Sequence, residues 1–280
     1  MTNRPAYQEI HYGDCAHRPG MYSILVPGKR GRLFSVLYTA AGEGPHPTVL
    51  LLHGIPGCER NFDLAQVLRR GGFHVMTFHY SGSWGSDGDY SLANDLEDAH
   101  TVLDFILQSE TYGIDKSRVY AVGHSLGGFV CGQLTAARPE IRAAVLLMPC
   151  DIGRMPKIAQ EDPVAFRAIR KELEESGGWL NGTSGEALWQ EARAHSADYC
   201  LESTARALAL AKKPVLCIGG TLDTCTPPAM HCEPLARAVK AAGGTAFQMR
   251  YFTTDHIFSD YRLTVADEVA AFLQAEAAKR

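Results

Sequence analysis

Long apolar runs are missing from this chain of 280 residues. Its apolar stretches have the length of single β-strands, whereas a membrane-spanning helix needs about 20 consecutive apolar residues. The first fourteen residues, MTNRPAYQEIHYGD, hold nothing resembling the apolar core of a secretory leader. These absences predict a cytoplasmic protein without a membrane partner. Basic clusters are equally scarce. Beyond Lys29-Arg30-Gly31-Arg32, no more than two Lys or Arg residues adjoin, and the net charge is −4. A nucleic-acid partner, which requires a concentrated basic footprint, is excluded on that ground. Eight cysteines are present, yet no two have C-x-x-C spacing. Without a secretory signal they read as free thiols, some serving as small core residues. Only Cys225, His231 and Cys232 gather locally. Three soft ligands beside two prolines, with no fourth candidate, are expected to hold no metal. Internal repeats and low-complexity tracts are also lacking.

What is present is an ordinary globular composition, 46% hydrophobic and 21% charged. Nearly continuous apolar runs at 48–52, 74–79, 118–122, 143–148, 214–219 and 247–252 alternate with helical patterns. Such runs suit parallel strands covered on both faces. The helices are expected at 62–70, 92–110, 126–137, 234–242 and 260–278, two of them stopped by the pairs Gly71-Gly72 and Gly243-Gly244. Strand and helix in alternation predict a doubly wound, mostly parallel α/β sheet. Upstream, 21–26 and 33–39 flank Pro-Gly-Lys-Arg-Gly-Arg and read as a hairpin on an antiparallel edge. Between 148 and 214 no strand pattern occurs. Asp162-Pro163 starts one helix there, Thr183-Ser-Gly-Glu186 has capping-box spacing before a second, and a third covers 204–211. In the second, Leu188, Ala192, His195 and Tyr199 are expected on one face. The expectation is one domain, 1–280, with a helical lid inserted at about 151–213.

The sharpest chemical signal is Gly123-His124-Ser125-Leu126-Gly127-Gly128, placed between a strand and a helix. This G-x-S-x-G arrangement sets a serine on a tight turn that exposes its hydroxyl. Its glycines stand where a Cβ would strike neighbouring backbone, and the following helix aims N–H groups at developing oxyanion charge. A dinucleotide loop would need glycine at Ser125, and a P-loop would need Gly-Lys-Ser/Thr. A serine hydroxyl needs a base, and the base an orienting acid, expected in the order Ser, Asp, His after later strands. Asp223, in Gly220-Thr-Leu-Asp-Thr, follows the strand at 214–219, and His256, in Thr253-Thr-Asp-His, follows the strand at 247–252. The other ten histidines, His11 and His124 among them, fail this positional test. Asp151 is the rival acid, while Asp255 adjoins His256 and is not expected to face its ring. The expected oxyanion donors are the backbone N–H groups of Leu126 and of Ile55 in His53-Gly-Ile-Pro-Gly57, since Pro56 has none.

These residues resemble the α/β-hydrolase superfamily, from about residue 20 to the end. Within that resemblance, Phe78-His-Tyr-Ser-Gly-Ser-Trp-Gly-Ser86 is similar to the Asn-Tyr-Arg-Gly-Ser-x-Gly loop of prolyl-oligopeptidase-like hydrolases, with Ser81 where arginine is usual. The resemblance implies a Ser-His-Asp acyl-transfer enzyme without a cofactor. The expected function is a carboxylic ester hydrolase acting on a small-molecule ester, with an amidase or aminopeptidase-like enzyme as the alternative and a non-hydrolytic ligand-binding protein behind both. Trp84, on the loop after a strand, and Trp179 and Trp189, in the insertion, are the expected substrate-pocket residues. Assembly is left open, with a homodimer among the possibilities.

Overall fold

The computed structural model describes residues 5–279 except 11 and 14; His11 and part of the N-terminal stretch read above lie outside them. The chain enters through a hairpin of β1 (Gly20–Gly28) and β2 (Gly31–Thr39), closed by Lys29-Arg30. Then follow β3 (His46–Leu52), α1 (Phe62–Arg70), β4 (His74–Phe78), α2 (Leu92–Gln108), β5 (Ile114–His124), α3 (Leu126–Ala137) and β6 (Ile141–Leu147). The intervening helices are α4 (Met155–Glu161), α5 (Pro163–Gly177), α6 (Gly185–Ala194) and α7 (Ala205–Leu210). The sheet resumes with β7 (Val215–Gly220), followed by α8 (Pro228–His231), α9 (Glu233–Ala241), β8 (Phe247–Phe252) and α10 (Arg262–Ala277).

The eight strands form one sheet in the order β1-β2-β4-β3-β5-β6-β7-β8. Pairings of β2 with β1 and β4 are antiparallel and the others parallel. Side chains alternate across a strand, so a strand buried on both faces must be apolar throughout. In β3, Leu50 and Leu52 enter one layer with α2, α3 and α9, whereas Val49 and Leu51 enter the other with α1 and α10. Parallel register aligns the carboxyl ends: Leu52 lies opposite Gly123, His124 opposite Leu147, and Gly220 opposite Phe252. The turns after β3, β5, β7 and β8 therefore emerge along one edge of the sheet, where open α/β folds hold their ligands.

Several expectations shift in detail. The strand expected at 118–122 is longer because its polar start, Ile114–Ser117, still pairs beside β3. The second intervening helix is capped by Ser184, whose hydroxyl accepts from the Ala187 N–H, one residue later than the capping-box spacing suggested. Its run also stops at Ala194, so Tyr199 is not on that helix and instead stacks its ring on His195. The third is shorter, since Leu201–Thr204 forms a 3-10 turn. Helices α4 and α8 have too few residues to show a period. Asp162 caps α5 through its carboxylate, accepting from the Val164 and Ala165 N–H groups at 2.8 and 3.1 Å.

Two glycines test this packing. A Cβ on Gly127 would lie 2.2 Å from the Leu52 carbonyl oxygen, whereas one on Gly178 meets nothing nearer than 3.5 Å. Gly127→Ala should cost more than the ~1–3 kcal/mol of ordinary overpacking because backbone must move. Gly178→Ala should stay within about 0.5 kcal/mol of wild type. Denaturant midpoints measure both, and equal midpoints would contradict the packing described.

Candidate active site

Ser125 ends β5 and begins α3 with φ 57° and ψ −121°, a conformation that a side-chain-bearing residue adopts only under strong local constraint. Its N–H donates to the Leu147 carbonyl, and its carbonyl accepts from Gly128 and Cys150. The glycines around it are sterically required. A Cβ on Gly123 would sit 1.9 Å from the Gly127 carbonyl oxygen. The loop after β3 presses on the serine from the other side, since a Cβ on Gly54 would sit 2.9 Å from Ser125 Cβ and 3.4 Å from its Oγ. Ile55 follows at once. Leu126 opens α3, so its N–H is among those without an intrahelical acceptor.

His256 and Asp223 are brought together by the turns after β8 and β7. His256 Nδ1 lies 2.8 Å from Asp223 Oδ2, and the Asp223 side chain is fully buried while that of His256 is 20% exposed. Burial alone would raise the Asp223 carboxyl, but its interactions with His256 and Thr226 outweigh this and hold it below the usual carboxylate range. Thr226 was not foreseen. Its N–H donates to Asp223 Oδ1 at 2.9 Å, alongside that of Cys225 at 2.8 Å, and its hydroxyl lies 2.8 Å from Asp223 Oδ2 and 3.2 Å from His256 Nδ1. The spacing Asp-x-x-Thr within a turn was the available signal. His124 was likewise missed. Its Nε2–H donates to the His256 carbonyl at 2.9 Å, and its ring packs 5.0 Å from the His256 ring. The rival acid Asp151 is elsewhere, accepting from the Leu201 N–H at 3.1 Å, with burial pushing its carboxyl up to about 7. Asp255 turns away to Ser259.

Ser125, Leu126, Ile55, Asp223 and His256 all line one cavity of about 690 Å³. The rest of its wall is mostly aliphatic, with Leu92, Ile152, Met155, Ile158, Leu173 and Leu188 prominent; the charged residues Glu59, Asp162, Lys171, Glu172 and Glu175 also line it, and it includes no Phe, Tyr or Trp. The three tryptophans expected there are therefore placed differently. Trp84, at φ 38°, donates its indole N–H to the Pro56 carbonyl and stacks on Trp179 at 6.1 Å on the outer surface, where the two are 41% and 67% exposed. Trp189 is buried against Phe166, under the Arg170 guanidinium. These aromatics pack with one another, which leaves the cavity wall mostly to aliphatics.

Cys225, His231 and Cys232 have other partners: His231 Nδ1 accepts from the Asp151 N–H at 3.0 Å, and the Cys232 thiol meets the Cys217 thiol in the core. Among the described residues, Asp223, Cys225 and His256 have possible ligand atoms within 4.8 Å of one another. Both Asp223 oxygens are already committed to Cys225, Thr226 and His256, which suits proton chemistry better than a cation.

Comparison with known proteins agrees with this architecture. Residues 49–272 match the model of the alpha/beta hydrolase family, and the chain belongs to that family. It is similar to lysophosphatidylserine lipase ABHD12 of Danio rerio, 34% identical over 139 residues, 48% of this chain and 32% of the relative. It is also similar to acylamino-acid-releasing enzyme 2 of Oryza sativa subsp. japonica, 23% identical over 231 residues, 75% of this chain and 28% of the relative. The matched stretch thus spans about a third or less of these relatives' length. Among solved structures, Est1E from Butyrivibrio proteoclasticus superposes with a TM-score of 0.67 at 19% identity, covering 92% of this chain and 99% of that one. No helix among the described residues is long and apolar enough to cross a membrane.

Burial also holds histidines neutral around the site, with His53 and His231 lowered to about 4 and His124 to about 3. Unfolded imidazoles take up protons near ~6.5, so between that pH and about 4 the unfolded chain binds more protons than the folded one. Stability is therefore fully present above ~6.5 and falls as the pH drops, by up to about 1.4 kcal/mol per pH unit for each such histidine. The melting temperature should fall between pH 7 and pH 5. A flat profile over that range would refute the neutral assignment.

Proposed function

We infer that the protein is a serine hydrolase that cleaves carboxylic esters through an acyl-enzyme. The observation that carries this reading is the convergence of a strained, partly exposed Ser125 with the hydrogen-bonded pair His256–Asp223 on one largely aliphatic cavity. Ser125 Oγ attacks the ester carbon while His256 takes the hydroxyl proton on Nε2. Asp223 fixes the tautomer by accepting from Nδ1–H and stabilises the imidazolium. The N–H groups of Leu126 and Ile55 receive the charge that develops on the carbonyl oxygen. The tetrahedral species collapses, the proton passes from His256 to the departing alcohol, and water then repeats the sequence to release the acid and restore Ser125.

The helices between β6 and β7 act as a lid over this centre in the proposed reading. They supply Met155, Ile158, Ala168, Ile169 and Leu188 to the cavity wall, so they set the acyl preference. The lipase name of the Danio rerio relative agrees with an ester substrate. An amide-cleaving activity is the second reading, favoured by the longer alignment with the rice acylamino-acid-releasing enzyme. Matched ester and amide substrates separate the two by their kcat/KM ratio.

Ser125→Ala should lower kcat on an aryl ester by about 10⁴-fold or more, with the melting temperature near wild type. Turnover retained in that variant would overturn the assignment. Ala168→Trp, at an exposed position of α5 that faces the cavity, should cut kcat/KM for an octanoyl ester about tenfold while sparing the acetyl ester. An equal loss on both esters would refute the lid reading.

A further inference from the structure

His231 is the buried polar side chain of the cavity that the chemistry above leaves unused. Four buried polar side chains line that wall: His124, Asp223, Thr226 and His231. The first three are tied together around His256. His231 is only 2% exposed and stands on the short turn of α8, where Met230 and Pro227 are its lining neighbours. The Asp151 N–H donates to its Nδ1 at 3.0 Å, so the Nδ1 lone pair is occupied and the ring proton resides on Nε2. No protein group among the described residues accepts from that Nε2–H.

Resting on the ester-hydrolase reading, we propose that His231 Nε2–H is a substrate-binding donor that selects esters carrying a second, neutral oxygen acceptor, an ether or ketone oxygen, along the chain held in the largely aliphatic cavity. Aliphatic side chains give a hydrocarbon chain no orientation beyond shape, and a donor that a bound chain shuts off from water and leaves unpaired is costly. A substrate oxygen opposite Nε2–H removes that cost, and a plain chain of the same length does not. Sites of this kind discriminate strongly, because the analogue without the oxygen leaves a buried group unsatisfied. The partner is neutral rather than anionic. His231 stays uncharged, held at about 4 by burial, and Asp223 at the same end of the cavity repels a carboxylate.

The test reads binding, so it is independent of turnover. Intact hexyl-length aryl esters, one plain and three with an ether oxygen at successive chain positions, are titrated against Ser125→Ala protein. At least one ether isomer should bind tenfold or more tightly than the plain ester. In Ser125→Ala/His231→Leu the ratio should fall to within twofold, while His231→Gln, whose carbonyl can accept from Asp151 and whose amide can donate, should keep part of it. Should the leucine variant fail to fold, ¹H–¹⁵N spectra of His231 in the Ser125→Ala protein give the same answer: the Nε2–H resonance moves downfield with the preferred ether ester and not with the plain one. Equal affinities for all four esters, a preference that survives His231→Leu, or an unmoved Nε2–H resonance would overturn the proposal. Failure of wild-type protein to hydrolyse any ester, or to label at Ser125 with a fluorophosphonate, would instead overturn the hydrolase reading and leave the binding ratios to decide the role of His231.

Discussion

At the end of β5 the backbone of α3 passes so near β3 and β5 that no Cβ fits at Gly123 or Gly127. Ser125 lies between these two contacts and takes a left-handed φ that a free chain would avoid. The strain is held by hydrogen bonds to Leu147 and from Gly128 and Cys150, which belong to the neighbouring strand, the helix and the turn after β6. Three elements thus fix one hydroxyl. Everything else at the site is measured from that point: the Gly54-Ile55 loop leans against it, and β7 and β8 deliver their turns along the same edge.

The electrostatics follow from the unequal partners of chemically similar, buried groups. Asp151 and Asp223 both follow strands of the same sheet, yet the first is pushed up toward neutrality and the second is held ionised. The difference lies in partners rather than depth. Asp223 accepts from two backbone N–H groups and faces an imidazole, whereas Asp151 takes one backbone donor from Leu201. The histidines divide in the same manner. His53, His124 and His231 are enclosed and serve as neutral hydrogen-bonding groups, while His256 reaches the cavity beside a carboxylate.

Much of this was legible in the residues. Ser125, Asp223 and His256 sit on turns whose residue types are dictated locally, by close backbone approach or by the end of a strand, and such constraints are written within a few positions. The strands were legible because burial on both faces leaves no polar alternation. What could not be read depends on distant partners. His124 finds its acceptor 132 residues away and His231 its donor 80 residues away, so neither has a local pattern. The tryptophans illustrate the complementary difficulty: aromatic side chains announce that they will be covered, but not by what. Trp189 is covered by Phe166 and Arg170.

The helices from α4 to α7 leave the sheet at β6 and return at β7, and those strands are hydrogen-bonded neighbours. The parallel pairing itself fixes both ends, with Leu147 opposite Ile218 at one edge of the sheet and Val215 opposite Ala144 nearer the other. Closing a longer segment between fixed ends costs only about 0.6 kcal/mol for each doubling of its length. Such a segment behaves as an exchangeable cassette. It can grow, shrink or be replaced over evolutionary time without disturbing the register that aligns Ser125, Asp223 and His256. Change in the helices that line the cavity is thereby uncoupled from change in the turns that carry Ser125, Asp223 and His256.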